Sequence, residues 1–148
     1  MKKLISQPHR FFFGLVPVCI VLAFVFFKDL IEFEYYGGFI EAPLKYIYFF
    51  SALFFTLIGF NYYSVHWANK PLIKGLTRAH ILLQCTALIL LISRNHWTWL
   101  AGDETQNEST TAVFGSPNFI FFMAFLIFLL ATFIHLINFF ISLFRKSK

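Results

Sequence analysis

Three histidines in apolar surroundings are the residues of this sequence best suited to chemistry: His66, His80 and His135. A neutral imidazole is the usual protein ligand for haem iron, copper and zinc. Histidines inside a membrane span are rare and are functional candidates by default. They are therefore candidate ligands for haem b or copper. A proton or quinone site and a purely structural or interfacial role are the alternatives.

Three polar residues accompany these histidines at helical spacing: Tyr63, Gln84 and Asn138. Residues three or four positions apart share a helix face, as His80 and Gln84 do. We expect all six side chains to converge at one level of the fold. This is the third nearest the cytoplasm, in the orientation that the basic residues predict. In the structural alternative, His66 and His80 meet water or lipid headgroups, and one hydrogen bond to a neighbouring helix satisfies His135.

Other chemistry has no sequence signal. The chain contains no His-x-His or His-x-x-x-His pair, no nucleophile beside a base, no glycine-rich phosphate loop and no paired carboxylates within a span. Cys19 and Cys85 lie in apolar runs, where cysteine acts as a small packing residue. His96 stands beside tryptophans as an interfacial residue. No catalytic residue is assigned, and we do not expect the chain to be an enzyme by itself.

The composition is that of a membrane protein. Of 148 residues, 59% are hydrophobic, 13% are charged and 23 are phenylalanine, which excludes an ordinary soluble domain. The net charge of +5 does not indicate nucleic-acid binding, because the basic residues form short clusters between apolar runs rather than a stripe. The lipid bilayer is the expected partner.

Four segments are long enough to cross a bilayer, which takes about 20 apolar residues. They are residues 11–27, 46–67, 79–100 and 118–144. We expect the first to be an uncleaved helix rather than a signal peptide, because no small-residue cleavage site follows it. Arg94 interrupts the third, but it lies close to Trp97 and Trp99, where a long cation can reach the membrane interface.

Charge placement predicts the orientation. Nine of the twelve basic residues lie on the side that holds both termini: Lys2, Lys3, Arg10, Lys70, Lys74, Arg78, Arg145, Lys146 and Lys148. All seven acidic residues lie in the two loops on the other side: Asp29, Glu32, Glu34, Glu41, Asp103, Glu104 and Glu108. The basic side is cytoplasmic by the positive-inside rule. We therefore expect an all-α integral membrane bundle of four helices, residues 1–148 as one domain, with both termini in the cytoplasm.

Small and polar residues predict which helix faces pack together, because close approach drives helix association in lipid. In the fourth span they are Ala124, Phe128, Ala131, His135, Asn138 and Ser142. The opposite faces of that span carry Phe121, Phe122, Phe125, Leu129, Phe133 and Phe140 toward lipid. The second span offers Ala52, Thr56, Gly59, Tyr63 and His66, and the third begins with His80, Gln84 and Ala87.

The first half of the chain resembles the NnrS family, membrane proteins associated with haem, copper and the nitric oxide response. Gln7-Pro8-His9-Arg10-Phe11-Phe12-Phe13 stands where the family has a His-Pro-Phe-Arg-Pro-Phe-Phe-like motif. Gly59-Phe60, and the run from Trp67 through Lys70-Pro71 to Gly75, are also similar. Pro43-Leu44-Lys45-Tyr46 replaces the His-x-His pair that opens the family's second helix. The resemblance implies a shared two-helix scaffold without those ligands.

These observations lead to two functional hypotheses. The first is a small non-catalytic accessory or structural subunit of a larger complex in a bacterial inner membrane, in a respiratory or nitric-oxide-related setting. The second is a haem- or metal-binding redox protein that uses the histidines of the cytoplasmic third. Other membrane subunits are the expected partners under the first hypothesis.

Overall fold

The computed structural model describes residues 7–35, 38–97 and 116–145, and the side chains of residues 32–39 are not among the described parts. The chain is mostly helical. In order, its elements are α1 (Pro8–Val25), β1 (Leu30–Tyr35), β2 (Gly38–Pro43), α2 (Leu44–Trp67), α3 (Lys74–Ser93), a 3₁₀ turn (Arg94–His96) and α4 (Pro117–Phe144).

Within the described residues, four helices are long and apolar enough to cross a membrane, as predicted. They begin earlier than the apolar runs do. Pro8 occupies the first turn of α1, where the missing proline N–H has no consequence and the restricted φ favours a helix. The first span therefore starts three residues before residue 11, and the third starts at Lys74 rather than at residue 79.

The prediction of an all-α fold missed a β-hairpin in the first acidic loop. β1 and β2 pair antiparallel from Leu30 opposite Pro43 to Tyr35 opposite Gly38. Alternating apolar and acidic residues in β1 have the two-residue period of a strand. The Leu44 N–H donates to the Asp29 carbonyl at 2.9 Å and closes the base of the hairpin. The acidic loop is therefore regular structure.

The end of α2 is defined by Asn69, which has a positive φ of 52°. The Asn69 and Lys70 N–H groups donate to the carbonyls of His66 and Val65. These bonds satisfy carbonyls at the helix end that have no partner within the helix. Asparagine tolerates this left-handed conformation better than most residues do. Pro71 follows and cannot continue the helix.

The chain forms two compact units, and the first comprises residues 1–77 and 137–148. In it, α1 packs on α2 through aromatic rings, and Phe12 stacks on Tyr62 with centroids 5.5 Å apart. Gly59 allows the closest approach: a Cβ atom there would lie 2.7 Å from Cε1 of Phe13. At the other end of these helices, Lys45 Nζ lies 3.8 Å from the Phe27 ring centroid.

The second unit comprises residues 78–136. Its buried residues on α3 and the following turn recur at spacings of four and three: His80, Gln84, Ala87, Leu91 and Arg94. Arg94 differs from the expectation of an interfacial cation, because it lies on this buried face and is only 5% exposed. The Trp97 indole N–H donates to Ser93 Oγ at 2.8 Å, and His96 is exposed.

The predicted packing stripe of α4 is confirmed. Its members are buried except Phe128, which is half-buried: Ala124, Ala131, His135, Asn138 and Ser142. The predicted lipid-facing residues are exposed except Phe121, which is half-buried: Phe122, Phe125, Leu129, Phe133 and Phe140. Near the end of α2 the prediction was wrong by one position, because Tyr62 and Val65 are buried while Tyr63 and His66 are exposed.

Some sequence predictions lie outside the described residues. They concern Lys2, Lys3, Lys146, Lys148, Trp99 and residues 98–115, with the acids Asp103, Glu104 and Glu108. The expectation of one domain over residues 1–148 stays a prediction. Cys19 is buried and Cys85 is half-buried, and neither forms a disulfide.

Candidate functional sites in the helices

Asn138 is the centre of a hydrogen-bond network in the first unit. Its Oδ1 accepts the Ile73 N–H at 3.0 Å, and its Nδ2 donates to Thr77 Oγ1 at 2.9 Å. Thr77 Oγ1 in turn donates to the Ile73 carbonyl at 3.1 Å. Tyr62 also hydrogen-bonds the side chains of Asn138 and Thr77. Asn138 and Thr77 are completely buried, so the network replaces the water that these groups would otherwise bind.

Two further bonds connect the same loop to the end of α4. Ser142 Oγ donates to the Pro71 carbonyl at 3.3 Å. Lys70 Nζ donates to the Arg145 carbonyl at 2.7 Å, which is a carbonyl that the helix end leaves without a partner in the helix. We call the network and these two bonds the loop latch. It fastens residues 70–73, between α2 and α3, to the last two turns of α4.

The loop latch gives Asn138 a structural role. Both atoms of its amide group have partners, and one partner is a backbone N–H that no helix would satisfy. Tyr62 takes the place that was predicted for Tyr63, because the buried face of α2 passes through residues 55, 59 and 62. Side chains from α2 and α3, Tyr62 and Thr77, thus meet the Asn138 side chain of α4.

His80 and His135 meet in the second unit. Their rings stack with centroids 4.9 Å apart and an angle of 28° between planes. Both side chains are almost completely buried, and so is Gln84, one helical turn beyond His80. The Gln84 Oε1 atom accepts no hydrogen bond from the described residues. We call His80 and His135 the histidine pair.

The histidine pair does not fit a haem held between two imidazoles. Such a haem lies between ring edges, because each imidazole directs a nitrogen lone pair at the iron. His80 and His135 instead present their faces to each other at 4.9 Å, which leaves no room for a macrocycle between them. In this arrangement the pair is a packing contact between aromatic rings.

His66 has a partner that the sequence analysis did not consider. The His9 ring lies 5.2 Å from the His66 ring, centroid to centroid, with the planes inclined by 32°. Tyr63 approaches His9 edge-on at 5.7 Å. His9 is buried, whereas His66 and Tyr63 are exposed. We call His9, His66 and Tyr63 the histidine–tyrosine cluster.

Two sequence signals could have identified the missed residues. Thr77 precedes His80 by three positions, so it extends the buried stripe of α3 by one turn. Pro8 favours a helix start, which places His9 in the first turn of α1, beside His66 in the last turn of α2. Nothing in the sequence distinguishes Tyr62 from Tyr63, because both are adjacent aromatic residues with a hydroxyl group.

Within residues 7–35, 38–97 and 116–145, no group of three or more His, Cys, Asp or Glu side chains is arranged to hold a metal ion. The comparisons with known proteins were negative: no protein-family model, curated protein or solved structure matches the chain.

Proposed function

We propose that this protein is a small non-catalytic accessory subunit of a larger complex in a bacterial inner membrane. The observation that carries the proposal is the loop latch. This buried polar network holds a loop, since Asn138 has its Oδ1 and Nδ2 atoms bonded to Ile73 and Thr77. Polar groups committed in this way hold a scaffold in one conformation.

The outer faces of the helices support a role among other membrane components. Large apolar side chains on α2 and α4 are widely exposed, including Phe50 at 70% and Phe133 at 61%. In a membrane these faces contact acyl chains or the helices of another subunit. The resemblance of the first two helices to the NnrS family supports a respiratory or nitric-oxide-related setting for that complex.

Purification from native membranes in a mild detergent tests the accessory role. We expect a species heavier than the monomer, with one set of partner subunits in constant proportion by native mass spectrometry. A photo-crosslinking residue placed in turn at Phe50, Phe60 and Phe133 should give a protein adduct from one face and lipid adducts from the others. A lone monomer that crosslinks only to lipid at every position contradicts the proposal.

The absorption spectrum of the same preparation tests the redox alternative. A scaffold role predicts no haem band of the protein's own once the partner subunits are removed. A stoichiometric haem that survives their removal and disappears in His80→Phe or His135→Phe would establish the redox function instead. Phenylalanine preserves ring stacking, so loss of haem in these variants would report ligation rather than packing.

Both termini are proposed to be cytoplasmic, and cysteine labelling of intact cells tests this orientation. In a background without Cys19 and Cys85, Glu41→Cys lies on β2 and Lys74→Cys at the start of α3, both at exposed positions. The positive-inside rule predicts that a membrane-impermeant maleimide modifies Glu41→Cys in intact cells and Lys74→Cys only after lysis. The reverse pattern would show the opposite orientation.

A further inference from the structure

The histidine–tyrosine cluster brings together two imidazoles from different helices at one end of the first unit. His9 is in the first turn of α1, and His66 is in the last turn of α2. Their ring centroids are 5.2 Å apart. The two residues are distant in sequence, so only the packing of α1 on α2 brings them together.

The Nδ1 atom of His9 is an unusual buried polar group. The side chain is 8% exposed, and Nδ1 has no hydrogen-bond partner among the described residues. Buried polar atoms nearly always have a partner, and an exception calls for an explanation such as a bound ion. Imidazole nitrogens are common ligands of transition-metal ions, and here an Nδ1 atom without a partner belongs to a ring that lies beside a second imidazole.

The distance between the two rings fits shared coordination. Two imidazoles on one tetrahedral zinc ion, with Zn–N bonds of about 2.0–2.1 Å, have ring centroids about 5 Å apart. The observed 5.2 Å agrees with this spacing. His80 and His135 lie at a similar 4.9 Å, and the two pairs differ in that His66 is exposed to an incoming ion. His66 also lies at the C-terminal end of α2, where the helix dipole favours a positive charge. Arg10 beside His9 opposes a cation, but its side chain is exposed and therefore screened.

We propose that His9 and His66 form a two-histidine binding site for a divalent transition-metal ion of the zinc type. Two protein ligands leave the remaining coordination positions to water or to an additional donor. His66 and Tyr63 are exposed, which provides a path by which the ion enters. His80 and His135 have no comparable access, because they are 0% and 1% exposed. The site does not depend on the accessory role proposed above.

Calorimetric titration of the full-length protein in detergent micelles with Zn²⁺ tests the site. The protein carries no histidine tag and is first treated with a chelator. We expect one saturable site in the wild type and at least tenfold weaker binding in His66→Asn and in His9→Asn. His96→Asn is the matched control, because His96 is an exposed histidine outside the cluster, and its affinity should equal that of the wild type.

Co²⁺ provides a second measurement that identifies the ligands. The wild type should give the visible d–d bands of a four-coordinate site, and both His→Asn variants should lose them. Because His66 is exposed, His66→Asn keeps the fold, which circular dichroism verifies, so the test remains valid if His9→Asn fails to fold. Binding should also weaken at pH 5.5, since protons compete for the imidazoles. Unsaturable binding, or equal affinity in wild type and His66→Asn, would mean adventitious zinc only and overturn the proposal.

Discussion

Replacement of Asn138 by leucine is expected to lower the free energy of unfolding by about 2–4 kcal/mol. Leucine has nearly the same shape but can neither accept from the Ile73 N–H nor donate to Thr77. Tyr62 loses one of its side-chain partners as well. A buried donor left without a partner costs about 1–3 kcal/mol, in addition to the lost bonds between helices. Reversible unfolding with a denaturing detergent, in bicelles, measures the change.

Two threonines provide the control for this effect. Thr77 and Thr132 each donate to the carbonyl four residues earlier, but only Thr77 also accepts from Asn138. Thr77→Val should therefore destabilise the protein, whereas Thr132→Val should change the unfolding free energy by less than about 0.5 kcal/mol. The Asn138→Leu and Thr77→Val effects should be less than additive, because they remove the same bond. Additive effects would show that the loop latch is not a connected network.

Replacement of Gly59 by leucine is expected to separate α1 from α2 at their closest point. Even a Cβ atom would lie 2.7 and 2.8 Å from two carbons of the Phe13 ring. Leucine adds further atoms at this contact, and the Phe13 ring must shift to admit them. Overpacking of this kind costs about 1–3 kcal/mol, and Gly59→Ala should cost less. The same unfolding measurement tests both variants.

Gly14 is the matched control for Gly59. A Cβ atom at Gly14 meets nothing within 4 Å, so Gly14→Ala should be neutral or should stabilise α1 by up to about 1 kcal/mol through helix propensity. Removal of the Phe13 ring should also relieve the clash. The double variant Phe13→Ala/Gly59→Ala should therefore lose less unfolding free energy than the two single variants lose in sum. Equal effects of Gly59→Ala and Gly14→Ala would contradict the predicted close contact.

The sequence by itself was sufficient for the apolar helices and for the inner face of α4. Four long apolar segments predict four helices that are long enough to span a bilayer, and the described residues form four such helices. The stripe from Ala124 to Ser142 was readable because small and polar residues alternate there with large apolar ones. The same periodicity identified His80, Gln84 and Ala87 on α3.

The local sequence pattern did not predict which of two neighbouring residues of the same type is buried. Tyr62 and Tyr63 have the same side chain, and a rotation of one position decides which of them reaches Asn138. The hairpin of β1 and β2 was overlooked because its acidic residues suggested a solvated loop, although their alternation with apolar residues is typical of a strand.

Tertiary structure alone decided the partners of the polar residues. Of the six residues singled out at the start, His80, Gln84, His135 and Asn138 lie on buried helix faces, whereas Tyr63 and His66 are exposed. Their contacts depend on which turn of one helix faces which turn of another, and no local periodicity contains that information. Asn138 holds the loop of residues 70–73 by a hydrogen bond to the Ile73 N–H. His80 stacks on His135, and His66 lies beside His9. The sequence shows which polar residues the helices carry, whereas the packing of the helices decides which of those residues contact each other.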